Sequence, residues 1–136
     1  YYTSICNIGN IYRERAFFYQ GDETYQWFQK AVNQFETSLT FNKAHFKAYV
    51  YWSHTLIDWS QVLKERGAPS HLVHEKLIEA KEKITLALKI KPNSHHSILT
   101  LAGLFSFFFF FVRMQNFFFQ KNAFMTFQKL WEKLLS

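Results

Sequence analysis

The chain repeats itself at a distance of 49 residues, and this constrains its fold more than any other feature. Ala80, Ile84, Ala87, Leu88, Ile90 and Lys91 are matched in size class by Ala31, Phe35, Ser38, Leu39, Phe41 and Asn42. Ile98, Leu101, Ala102 and Phe105 are matched in the same way by Tyr49, Trp52, Ser53 and Leu56. A unit that recurs in this manner cannot bury its apolar face alone and must stack on its neighbours. Within the unit, small and apolar residues fall at steps of three and four, which is the period of one helical face, so a second helix can approach closely. Pro92 stops one helix, and Asn93 and Ser94 can cap the next. The unit reads as a helix, a tight turn and an antiparallel helix.

The remaining punctuation agrees. Residues 1 to 19 read as a first helix, broken at Gly21 and Asp22, and a second runs from Glu23 to Phe41 with Trp27, Ala31, Phe35 and Leu39 inward. A third covers Phe46 to Lys64. Glu65 to Ser70, with Gly67 and Pro69, is a turn before a fourth helix at His71 to Lys91. Apolar residues nowhere alternate over more than a few positions, so no strand is expected.

The series Ala80, Ile84, Ala87, Pro92, followed by bulky, Leu, small and bulky residues, resembles the tetratricopeptide repeat. That repeat runs Trp-x2-Leu-Gly-x2-Tyr and then Ala-x3-Phe-x2-Ala-x4-Pro. Ile8-Gly9-Asn10-Ile11-Tyr12 reproduces its Leu-Gly-x2-Tyr segment, and Ala123, Phe127 and Leu130 close a third copy. Gly9, Ser53 and Ala102 are spaced by 44 and 49 residues, against about 34 in the standard repeat, and the surplus falls between the two helices of each unit. The resemblance implies a single domain over residues 1–136 with repeats at roughly 1–44, 45–93 and 94–136. Its fold would be an all-α, right-handed α-solenoid of about six helices in antiparallel pairs. The residues expected to pack the repeats are Gly9, Tyr12, Ala31, Phe35, Trp52, Ser53, Ala80, Ile84, Ala87, Pro92, Ala102 and Phe105.

In this family the first helix of each repeat lines a groove for an extended peptide or a helix. The resemblance therefore implies groove positions at Asn10 and Arg13, at Lys47, Val50, His54 and Ile57, and at His96 and Leu99. Of the carboxylate clamp of the family's co-chaperones only Asn10 is matched. Cys6, Tyr51, His96 and Thr100 stand at the other clamp positions, so a chaperone tail is not the expected ligand. The stretch Asn42 to Leu56 is similar in outline to plant mitochondrial import receptors of the same family. That similarity implies an intracellular location, with mitochondrion and plastid as candidates, and leaves a membrane-tethered receptor as one alternative function.

Sixteen Lys and Arg against ten Asp and Glu give a net charge of +6, which favours anionic partners or surfaces. The cations are spread over several helices and mixed with Glu, whereas nucleic-acid readers gather theirs with stacking aromatics on one face. An RNA-associated repeat protein is thus an alternative to a protein scaffold rather than the leading reading. Cys6 is the single cysteine, so no internal disulfide can form. His71 and His74 lie at helical spacing but lack a third ligand in a comparable motif, and a polar surface explains them. The four glycines form no phosphate loop, and no nucleophile sits with a paired base. Asp58 and Glu65 read as part of a charged face. The expectation is a protein without catalytic activity or cofactor.

Ile98 to Val112 carries no charge, and Phe107, Phe108, Phe109, Phe110 and Phe111 follow one another. Successive helical residues turn by about 100°, so five in a row point to every side of a helix. Three readings compete for 98–119: a solenoid helix whose surplus rings meet a partner, a membrane contact interrupted by Arg113, and a mistaken stretch of sequence. The first makes the Phe run an apolar interface, and the whole chain a non-catalytic scaffold or adaptor within a larger assembly.

Overall fold

The computed structural model describes residues 1–115, 129 and 131–135, with the side chains at 107, 108 and 110–115 outside that description. The described chain is all-helical. Five α-helices follow in order: α1 (Tyr2–Arg15), α2 (Asp22–Phe41), α3 (Phe46–Glu65), α4 (Ser70–Ile90) and α5 (His95–Gln115). A 3₁₀ turn, Ala16–Phe18, prolongs α1, so the expected first helix tightens over its last residues. Residues 131–135 are helical as well.

Local chemistry accounts for the breaks. Gly21, at φ 63°, takes the left-handed backbone that starts α2, and Gly67, at φ 75°, ends α3. Around Gly67 the amide of Ala68 donates to Leu63 O at 2.9 Å and that of Gly67 to Lys64 O at 3.1 Å, which satisfies two last-turn carbonyls. The connections α2–α3 and α4–α5 are the same turn 49 residues apart. Asn42 N donates to Ser38 O and His45 N to Asn42 O; Lys91 N donates to Ala87 O and Ser94 N to Lys91 O. Ser94 caps α5, its Oγ accepting from Ser97 N at 3.3 Å.

Each helix packs antiparallel on the next. On α3 and α4 the Lys91 ammonium lies over Phe46, Lys83 over Trp52 at 4.0 Å, and Lys76 over Trp59 at 3.8 Å, while Ser53 Oγ donates to Ala80 O at 2.8 Å. Each step forward on one helix is a step back on the other. The methylene stems of these lysines cover ring faces while their charges stay near solvent. α1 lies on α2 in the same way, with Tyr12 against Trp27 near one end and Ser38 Oγ donating to Tyr2 O near the other. Arg66, just past α3, ties back to α2 through Gly21 O and Thr24 Oγ1.

The buried positions carry the repeat. In α4 they are Val73, Leu77, Ala80, Ile84 and Ala87; shifted by 49 these become Thr24, Phe28, Ala31, Phe35 and Ser38, all buried in α2. Cys6, Gly9 and Ala16 are buried and so, 44 residues on, are Val50, Ser53 and Ser60. Burying rings such as Phe28 and Phe35 contributes about 1.5–3 kcal/mol each. Beyond sequential neighbours, α3 also packs on α1 and on α5.

The third copy departs from expectation. Leu101 and Phe105 are half-buried, Phe105 against Trp131 at 4.5 Å, but Ile98 and Ala102 are exposed. Ser53, which Ala102 matches, is sealed because α4 crosses it, and nothing described crosses Ala102. Ala123 and Phe127, Leu130, and the rings of Phe107, Phe108, Phe110 and Phe111, lie outside the described residues; Phe109 is exposed.

Candidate partner-binding groove

α1, α3 and α5 lie side by side and bring their polar residues together along two seams. In the first, Arg13 Nη1 donates to Asp58 Oδ2 at 3.1 Å, and Arg13 Nε to Asn10 Oδ1 at 3.0 Å. Burial pushes the Asp58 carboxyl up, and the adjacent guanidinium pulls it down through charge and hydrogen bond without fully compensating. The pair is therefore a positional tie between α1 and α3 rather than a large source of stability.

In the second seam, His54 Nε2 and Thr100 Oγ1 are 2.7 Å apart, and the Thr100 hydroxyl donates to His96 O at 2.8 Å. A hydroxyl has one proton, and Thr100 spends it on that carbonyl, so His54 Nε2 is the donor. His54 thus carries a proton on Nε2. Burial, aided by the charges of Arg13 and His96, lowers its pKa to about 4. The His96 ring lies 5.1 Å away.

Between α3 and α5 a hollow of about 190 Å³ is lined by Phe46, Lys47, Val50, Tyr51 and His96. Its walls are mostly apolar. Lys47 and His96 are exposed at its margin, while Val50 is sealed into the wall. The space suits one aliphatic or aromatic side chain, with the Lys47 ammonium and the His96 imidazole placed to meet a neighbouring carboxylate.

Of the groove residues read from the sequence, Lys47, Val50, His54 and His96 come together around the hollow and its seam. Asn10 and Arg13 form a second group at the α1–α3 seam, Ile57 is half-buried on α3, and Leu99 stands apart, exposed on α5. Arg13 and His54 are engaged across the seams and are not open to a ligand. Sequence reading missed Asp58 as the partner of Arg13 and Thr100 as that of His54; the residues are 45 and 46 positions apart, and nothing local joins them. Cys6 is buried and its thiol pushed up to about 11 by desolvation, which leaves it unreactive. Among the described residues no group of three His, Cys, Asp or Glu could hold a metal ion, and no helix is long and apolar enough to cross a membrane.

What fold and site define together is an all-α chain of antiparallel helix pairs with a hollow between alternate helices. Compared with family models, curated proteins and solved structures, the chain finds no match in any of the three, so its class rests on this packing.

Proposed function

We propose that the chain is a non-catalytic scaffold, with its helix pairs stacked as a right-handed solenoid of tetratricopeptide-repeat type, that holds a segment of a partner protein. The observation that carries this reading is the hollow between α3 and α5, apolar in its walls, with Lys47 and His96 at its margin. A bulky apolar side chain enters the hollow, and an adjacent Asp or Glu meets Lys47 and His96. The disposition of the basic residues favours a protein partner over RNA: Lys30, Lys76, Lys83 and Lys91 lie over aromatic rings of the chain itself instead of forming a phosphate-tracking stripe.

Selection from a displayed library of random peptides tests it. Enriched sequences should pair one bulky apolar residue with a neighbouring acid, and Tyr51→Ala or Lys47→Glu should remove the enrichment without loss of helical circular dichroism. Binding should weaken only mildly at high salt, because apolar burial is not screened as phosphate contacts are. Failure to enrich any such motif, or enrichment unaffected by both substitutions, would overturn the reading.

A further inference from the structure

The charges of this chain are sorted between its two edges. Antiparallel packing brings the ends of α2 and α4 to the same edge as the starts of α1, α3 and α5, and contacts join them there. Tyr1 meets Phe41 at 4.9 Å, Tyr2 meets His45 at 4.9 Å, and the Lys91 ammonium lies 4.9 Å from the centre of the Phe46 ring. Lys47 and His96 border one hollow. Neither residues 37–57 nor residues 83–131 contain an Asp or Glu. Glu14, Asp22, Glu23, Glu65 and Glu75 belong instead to the helix ends at the opposite edge. Lys43, Lys47, Lys89 and Lys91 are exposed at the edge that lacks acids. The remaining twelve Lys and Arg face all ten acids of the chain, so most of the net charge of +6 resides in these four.

The same edge is apolar at two equivalent points. The turns after α2 and α4 make the same hydrogen bonds 49 residues apart, and each exposes one large apolar residue at the same position: Phe41, 57% exposed, and Ile90, 38% exposed. A single exposed apolar side chain needs no explanation. Here one recurs on each turn beside lysines, Phe41 two residues before Lys43 and Ile90 between Lys89 and Lys91. Unopposed cations call for an anionic partner. Single-stranded nucleic acid would stack its bases on aromatic rings, and Ile90 offers none. An acidic peptide would be met by the cations alone. The interface of an anionic bilayer uses both features, since apolar side chains enter at headgroup level while flanking lysines meet lipid phosphates and carboxylates.

We propose that this edge docks on the surface of an anionic lipid bilayer, with Phe41 and Ile90 entering among the headgroups and Lys43 and Lys89 beside them pairing with lipid anions. The contact is peripheral, made by two turns rather than by a crossing helix. Phe41, Lys43, Lys89 and Ile90 do not line the hollow, so docking does not depend on the partner segment proposed for it.

Flotation of the full chain with lipid vesicles is the test. The chain should float with vesicles of phosphatidylcholine containing about one third phosphatidylserine and stay behind with phosphatidylcholine alone, and high salt should reduce the bound fraction. Lys43→Glu with Lys89→Glu should weaken binding at least about tenfold, and Phe41→Ser with Ile90→Ser by a similar factor. All four side chains are exposed, so circular dichroism should be unchanged in both double variants. A wild-type chain that ignores the anionic vesicles, equal binding to both kinds of vesicle, or binding unchanged in both variants would overturn the proposal. So would binding that is lost with the lysine pair but untouched by the apolar pair, which is the result expected if the edge serves RNA or an acidic protein; polyuridylate and polyglutamate would then compete with the vesicles.

Discussion

His54 shows how one side chain takes its character from its surroundings. In the unfolded chain it titrates near pH 6.5, while in the folded protein burial and the charges of Arg13 and His96 lower it to about 4. The unfolded state therefore binds a proton at this residue before the folded state does, and acid favours unfolding. The penalty is absent above about pH 6.5, grows as pH falls toward about 4 and levels off below, reaching up to about 3 kcal/mol. His45 and His74, lowered by burial, act in the same direction; Asp58, raised by burial, opposes them at the acid end. His54→Gln keeps a donor for Thr100 and removes the titration. The difference in urea midpoint between about pH 7 and about pH 4.5 should therefore shrink in the variant. An unchanged difference would show that the acid sensitivity arises elsewhere.

Between elements, close approach is decided by the smallest residues. A Cβ at Gly9 would lie 2.6 Å from Phe35 Cε1 and 3.1 Å from Gln34 Cβ, so α1 sits on α2 where no side chain fits. Phe35 is fully buried and cannot swing away. Gly9→Ala should therefore destabilise by about 1–2 kcal/mol, the overpacking cost exceeding the gain in helix propensity. Gly103, also helical, has open space around it, so Gly103→Ala should stabilise by about 0.5–1 kcal/mol. Urea unfolding of the two variants at low protein concentration checks the opposite signs.

For the molecule as a whole, α3 is the element on which the rest depends: it alone among the five packs on all the others, α1, α2, α4 and α5. Of the other four, α5 packs on α3 and α4, and it exposes Ile98, Leu99 and Ala102. Among the described helices, opening of α5 breaks its packing on two of them, whereas opening of α3 breaks packing on four and dismantles the core. Native-state hydrogen exchange should find the most protected amides in α3, with opening free energies near the global value, and earlier exchange in α5 and the first turn of α1. Equal protection in α3 and α5 would contradict this ordering.

The residues that were legible in the chain itself are those whose effect is local. The period of Ala31, Phe35 and Ser38, the same period 49 residues on, the breaks at Gly21, Gly67 and Pro92 and the cap at Ser94 determine five helices and the inward faces of α2 and α4, because helical spacing and turn chemistry act within a few residues. Periodicity names a face but not what will cover it. Phe28, Ala16 and Val62 form a second small core where the ends of three helices meet, and only their convergence in space reveals it. Arg13 with Asp58 and His54 with Thr100 are in the same case, as are the lysines that lie over tryptophans of another helix. Ser53 and Ala102 carry the same signal in sequence, yet one is sealed and the other open, because burial belongs to the neighbour that arrives and not to the residue. Tertiary structure alone decided which described faces of the repeat are closed and which stay open.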